Sequence, residues 1–155
     1  MKNKSRKTIT LCSSASFYKQ VLEIAAELKK LGFKVKIPHT ANIMKKTGNF
    51  DADFYKTWFR DKNDYYKKTQ LTKMHFRKVI GADAILVVNS DKNGTAGYIG
   101  GNGLMEMGLA FHYKRPIFVY NPISERLNIK EEIYGLNPIF INGDLNLISK
   151  KLKLS

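Results

Sequence analysis

Five consecutive apolar residues, Ala84-Ile-Leu-Val-Val88, constrain the fold of this chain more than any other feature. A strand with one wet face alternates apolar and polar residues. An unbroken run of this length after Gly81 is instead expected of a central parallel strand covered on both faces. The flanking segments fit that frame. Residues 8–12 read as a strand. Residues 17–31 read as a helix, with Val21, Leu22, Ile24, Ala25, Leu28 and Leu31 at helical spacing. Gly32 supplies a C-cap, and residues 33–37 alternate as a second strand that Pro38 ends. Residues 51–80 are helical in pattern, as one long helix or two shorter ones. Residues 103–113 form the next helix and 117–120 a fourth strand opened by Pro116. Residues 138–141 form a fifth strand, and Asp144 caps a last helix ending near Leu152. Residues 45–49 read as the least structured stretch. The expected fold is α/β: a doubly wound, five-stranded parallel sheet with helices on both faces, in one domain over residues 1–155. Ligands of such sheets bind beyond the carboxyl ends of the strands, so the loops after Cys12, Val88 and Tyr120 are expected to meet at one site.

Composition narrows the setting. Hydrophobic residues make up 43% and charged residues 26% of 155 positions, and no apolar run approaches the roughly 20 residues of a membrane span. The basic stretch 1–7 is followed by only residues 9–12 as an apolar segment, too short for a signal-peptide core, so a cytoplasmic location is expected. Cys12 is the only cysteine, which excludes an internal disulfide and a multi-thiolate zinc cluster. The net charge of +14 suits either a solvated lysine surface or an anionic partner, and charge alone does not choose between them.

The chemistry concentrates at Tyr98-Ile-Gly-Gly-Asn-Gly-Leu-Met-Glu-Met-Gly108, which follows the most apolar strand and opens a helix. Gly100, Gly101 and Gly103 let a ligand approach the backbone, and a helix start with free amides suits an anion or a sugar hydroxyl. The spacing is neither the dinucleotide fingerprint nor a phosphate-binding loop ending in Gly-Lys-Ser/Thr, so no cofactor of those kinds is expected. Glu106 sits among Met105, Met107, Leu109 and Ala110. It is either a functional carboxylate or a capping-box residue serving Asn102 or Gly103. Cys12-Ser-Ser-Ala-Ser16 offers hydroxyls and amides for a phosphate or sugar, or else plain N-caps at Ser14 or Ser16. Cys12 itself suits a buried strand end better than a reactive thiol. His39, His75 and His112 lack metal-ligand spacing with one another or with acids, so no metal site is expected. His75 reads as a structural histidine or a catalytic one, and Asp83, at the amino end of its strand, as structural. Tyr55, Trp58, Phe59, Tyr65 and Tyr66, interleaved with lysines, either stack bases or lay an amphipathic helix on the sheet or on another subunit.

Three motifs together, Cys12-Ser-Ser14, Gly81-Ala-Asp-Ala-Ile-Leu-Val-Val88 and the glycine-rich loop ending in Met105-Glu-Met-Gly-Leu-Ala110, resemble the nucleoside 2-deoxyribosyltransferase superfamily, which includes the 2'-deoxynucleoside 5'-phosphate N-hydrolases. The resemblance spans residues 7–121. It implies a flavodoxin-like (Rossmann-like) fold, a homo-oligomer with shared sites, and a glutamate nucleophile on C1' of the sugar at the position of Glu106. The chain departs from the family at three places. His75 stands where a helper aspartate aligns, so an acid near neutral pH would have to be an imidazole. Gly100 replaces an aspartate six residues before the nucleophile, and Ser13-Ser14 replaces Gly-Ser.

The expected activity is thus N-glycosidase or deoxyribosyl transfer on a nucleoside or nucleoside 5'-monophosphate, with Glu106 and His75 catalytic. Substrate contacts are expected from Cys12, Ser13, Ser14, Ser16, Tyr98, Gly100, Gly101, Asn102 and, after the fourth strand, Asn121. The alternative is a non-catalytic nucleotide-binding or sensing module on the same scaffold. Nucleic-acid binding through residues 51–80 is a third reading, which predicts steep salt dependence.

Overall fold

A computed structural model describes residues 5–153. Of the basic stretch 1–7, residues 1–4 lie outside that range. Five strands, β1 (Thr8–Ser13), β2 (Lys34–Lys36), β3 (Ala84–Val88), β4 (Ile117–Val119) and β5 (Ile139–Phe140), form one sheet in the order β2-β1-β3-β4-β5. Every pairing is parallel. The expected doubly wound topology is therefore present, with the strand order reversing between β1 and β3.

The apolar run earns its length from this position. Ala84, Leu86 and Val88 enter one core with Ile9, Leu11, Leu28 and Ile148, while Ile85 and Val87 enter a second core with Cys12, Met107, Ala110 and Ile133. Period-two alternation thus feeds both faces at once, which no half-exposed strand could do. The first face is covered by α1 (Tyr18–Lys30) and α7 (Asn146–Lys153), and the second by α4 (Tyr65–Ile80), α5 (Gly101–His112) and α6 (Lys130–Gly135). Asp83 is structural, as expected. Its carboxylate accepts from the Thr8 amide at 2.8 Å, while its own amide donates to the Thr8 carbonyl, clasping the amino ends of β1 and β3. Asp144 accepts from the Asn146 amide at the start of α7.

Two elements differ from the sequence pattern. Residues 45–49 are not a loop throughout, because α2 (His39–Thr47) runs through most of them and closes on Gly48 in the left-handed conformation. Residues 51–80 do not form one or two regular helices either. Short α3 (Ala52–Tyr55) and 3-10 turns at Thr57–Phe59 and Lys62–Asp64 precede α4. Asp51 and Asp61 start these pieces by accepting from Asp53 and Asn63 amides, and such Asx turns compete with helix continuation. No helix among the described residues is long and apolar enough to cross a membrane.

Candidate active site

A pocket of about 190 Å³ opens beyond the carboxyl ends of β1 and β3. Ser13 and Ser14 line it from the turn after β1, and Tyr98, Gly100, Gly101 and Asn102 line it from the loop and helix start after β3. Glu106 and His75 reach it from α5 and α4. The third loop is not the one after β4. Pro38, His39 and Thr40, following β2, complete the rim instead.

Local structure explains the position of Glu106. The loop leaving β3 is pinned at Gly97 (φ +61), where a Cβ would lie 2.0 Å from the Pro122 carbonyl oxygen, so only glycine passes. The chain then enters α5 with Gly100 as N-cap and no side-chain capping bond. The first-turn amides of Gly101, Asn102 and Gly103 therefore retain capacity for a ligand, and the space above Gly101 is open for at least 4 Å around an added Cβ. Because the helix starts at Gly101, Glu106 lies in its second turn, too deep to serve as a capping-box residue. That alternative ends here.

Glu106 is instead buried beside two other groups. One sulfur of Cys12, one nitrogen of His75 and one carboxylate oxygen of Glu106 all lie within 4.8 Å of one another. Cys12 is fully buried, and its thiol lies close enough to the Glu106 carboxylate to favour the charged form. Burial pushes the Glu106 carboxyl up to about 7, against the Cys12 thiol and the Lys68 ammonium, which both favour ionisation. Burial, and then the Glu106 charge, hold the Cys12 thiol well above its ordinary range, so it stays protonated. Burial and then Glu106 also push up the Tyr18 phenol on the pocket wall. His75 moves the opposite way: burial, then Lys78, bring its ring down to about 4. It is a neutral imidazole at neutral pH with no ready proton to give, contrary to the acid expected at this position. The 3.8 Å from His75 Nε2 to Glu106 Oε2 is consequently neither an ion pair nor a hydrogen bond.

The pocket is also cationic, which the sequence pattern did not single out. Lys56, Lys68 and Lys92 all line it. Burial lowers the ammonium of Lys56, with Lys92 adding to the effect, and burial also lowers Lys68, with Lys56 adding. Lys92 Nζ donates to Ser14 Oγ at 3.2 Å and stands 5.0 Å over the Tyr98 ring. Three lysines crowded in this way favour an anion between them. Trp58, the one buried aromatic of the lysine-rich segment, lines the same cavity. The lysines look like any surface lysine in the sequence, and only the irregular path of residues 51–64 turns Lys56 and Trp58 inward.

Three expected contacts lie apart from the cavity. Cys12 is beneath its floor rather than on its wall. Ser16 is exposed in a 3-10 turn (Ala15–Phe17) and faces a separate shallow groove with Gln20 and Asp91. Asn121 is engaged with buried Asn89: its amide donates to Asn89 Oδ1 at 2.8 Å, its Nδ2 to the Asn89 carbonyl at 2.7 Å, and its carbonyl accepts from Asn89 Nδ2. The pair locks β4's exit loop to the end of β3 and leaves Asn121 as a loop-holding residue. Ser14 does occupy the N-cap position of the 3-10 turn but makes no capping bond, and its hydroxyl faces Lys92 instead.

No protein-family model and no curated protein sequence matches the chain. Solved structures do. A 2-deoxyribosyltransferase from Bacillus psychrosaccharolyticus superposes with a TM-score of 0.55 at 18% identity, covering 91% of this chain and 89% of its own. A CMP N-glycosidase from Clostridium botulinum superposes with a TM-score of 0.50 at 16% identity, covering 96% of this chain and 98% of its own. At these identities the likeness is one of fold. The likeness covers nearly the whole chain, beyond the three short motifs.

Proposed function

We propose that this chain cleaves or exchanges the N-glycosidic bond of a nucleoside 5'-monophosphate, or of the parent nucleoside, with Glu106 as nucleophile. The observation that carries the reading is the buried Glu106 carboxylate, poised near 7 at the floor of a cationic pocket over the sheet's switch point. The activities of the two structural neighbours, sugar transfer and base removal from a nucleotide, support the same class of reaction.

In this reading a phosphate lies among Ser13, Ser14, Lys92, Lys56 and the first-turn amides of α5, which places the sugar over Glu106. The ionised carboxylate attacks C1', and the C1'–N bond breaks with its electron pair moving to the base. The base takes up a proton, for which Lys68 on the pocket wall is the acid. Water or a second base then attacks C1' of the glycosyl ester, giving up its proton to the Lys68 amine left by the first step, and releases the Glu106 carboxylate, so configuration is retained. Neutral His75 packs against the carboxylate and limits its solvation. Hydrolysis and transfer differ only in which acceptor enters second. No cofactor is required. We place the reaction in the cytoplasm, where a buried free thiol such as Cys12 stays reduced. We also propose a homo-oligomer, because Phe54, Phe59, Tyr65 and Tyr66 are exposed beside the pocket rather than laid on the sheet.

The test is incubation with deoxy- and ribonucleosides and their 5'-monophosphates, with and without acceptor base, following free base by chromatography. Base is released or exchanged, the monophosphates are preferred, and kcat/KM rises with pH to a plateau above about 7. Glu106→Gln lowers the rate by about 1,000-fold or more while binding persists. Ligand binding without turnover in any member of the panel would instead make this a nucleotide-binding module. Affinity for RNA or DNA that falls steeply with salt and ignores Glu106 would point to the basic surface.

A further inference from the structure

We propose that Cys12, His75 and Glu106 form a binding site for one borderline-soft divalent ion of the zinc type, and that its occupation switches off the pocket by tying up the Glu106 carboxylate. The binding half stands on geometry alone; the switching half rests on the function proposed above.

Three donor types, thiol, imidazole and carboxylate, come from the end of β1, from α4 and from α5, which are far apart in the chain. The fold gathers one donor atom of each within 4.8 Å. All three residues are buried. Buried polar atoms normally have partners, yet among the described residues neither ring nitrogen of His75 nor Oε2 of Glu106 makes a well-formed hydrogen bond. The Leu11 carbonyl lies close enough to act on the ring without completing such a bond. It is the kind of acceptor that orients the second N–H of a metal-bound histidine.

The donor set suits zinc. Bond lengths of about 2.0–2.3 Å to N, O and S put tetrahedral ligands about 3.3–3.6 Å apart. His75 Nε2 and Glu106 Oε2 are already at 3.8 Å, so closure asks for small side-chain rotations. The fourth position falls on the pocket side, where Glu106 and His75 line the cavity. Burial keeps His75 neutral, which is its ligating form. The ion replaces the Cys12 proton and whatever proton Glu106 carries, so a thiolate and a carboxylate cancel its two charges. Lys68, which acts on Glu106 and His75, and Lys78, which acts on His75, oppose a bare cation but not that neutral assembly. Tyr18, also nearby, stays protonated. The site escapes ligand-spacing rules, which describe ligands on one turn or one hairpin, not three elements joined by a parallel sheet.

The experiment uses the whole chain, stripped with chelator. Zinc is titrated by calorimetry, and cobalt is titrated while following the near-ultraviolet cobalt–thiolate charge-transfer band. The expected result is one equivalent bound, with proton release and affinity that strengthens as pH rises. Cys12→Ser removes the band and weakens binding by about 100-fold, and His75→Ala weakens binding to a similar extent, while His112→Gln, at the exposed end of α5, leaves both unchanged. Thermal melts confirm that each variant is folded; a variant that is not is replaced by Cys12→Ala or His75→Gln. Absence of the band in the parent, or zinc affinity indifferent to Cys12 and His75, overturns the site. Where base release has been demonstrated, zinc abolishes it over the concentration range that fills the site, and chelator restores it. Zinc bound at the triad with base release unaffected overturns the switch. Binding in a protein that releases no base from any substrate retains the site and counts against the proposed function alone.

Discussion

Glu106 and His75 face each other with opposite preferences, and stability should record both. The carboxyl is raised in the fold from an ordinary 4.5 to about 7. Its contribution is therefore fully present below 4.5 and is lost as pH rises through 7. The imidazole is lowered from 6.5 to about 4, so its contribution is present above 6.5 and is lost as pH falls through 4. Between about 4.5 and 6.5 the two slopes oppose each other and largely cancel in the parent. Single substitutions separate them. In urea unfolding with chelator present, the advantage of Glu106→Gln over the parent grows from pH 4.5 to 7, towards about 3 kcal/mol, while that of His75→Gln grows from pH 6.5 down to 4 by a similar amount. Parallel pH profiles for all three proteins would contradict this opposition. At this scale the sequence was half legible. Glu106 stood out because a carboxylate among methionines invites an explanation, and His75 and Cys12 were candidates beside it, but their meeting at one point was hidden, since nothing in the chain links position 12 to position 75. Asn121 was misread for a complementary reason: position at a strand end is visible in sequence, but the Asn89 amide that occupies it is not.

Elements buried on two faces were legible almost residue by residue, because uninterrupted Ala84–Val88 admits few readings and the alternating partners follow from it. Elements held by side-chain turns were not. α2 hides behind its lysines and begins at Pro38, which in sequence reads as the end of a strand, and residues 51–64 break into turns at Asp51 and Asp61. The loop that sets the start of α5 gives a sharp prediction at the element scale. Gly97→Ala forces a Cβ against the Pro122 backbone from a left-handed conformation and should destabilise the protein by about 3 kcal/mol or more. Gly94→Ala, also left-handed but with nothing within 4 Å, should lose only about 1 kcal/mol. Equal shifts in the urea midpoint would remove the close approach as the reason for Gly97.

For the molecule as a whole, the class of sheet and the end of it where the pocket opens were legible in the sequence, but not the surface. The aromatics expected to rest on the sheet or on another subunit are divided, Trp58 buried and Phe59 63% exposed. The exposed set lies on the segment that also supplies Lys56 to the pocket, so association there would cover apolar area next to the pocket. Light scattering should find a dimer or larger assembly at micromolar concentration, and Phe54→Ser combined with Phe59→Ser should return it to a monomer. A parent that is monomeric throughout would remove this role for the segment. The clasp between Thr8 and Asp83 carries a different consequence, one of time. Its partners are 75 residues apart, so bringing β1 to β3 closes a long loop at an entropic penalty of about 4 kcal/mol before neighbouring contacts repay it. Cys12 arrives with β1, whereas His75 and Glu106 flank β3 in the chain. The pocket floor therefore comes together only once that closure has succeeded, and during refolding a site-reporting signal should lag behind helix formation in α1 and α4.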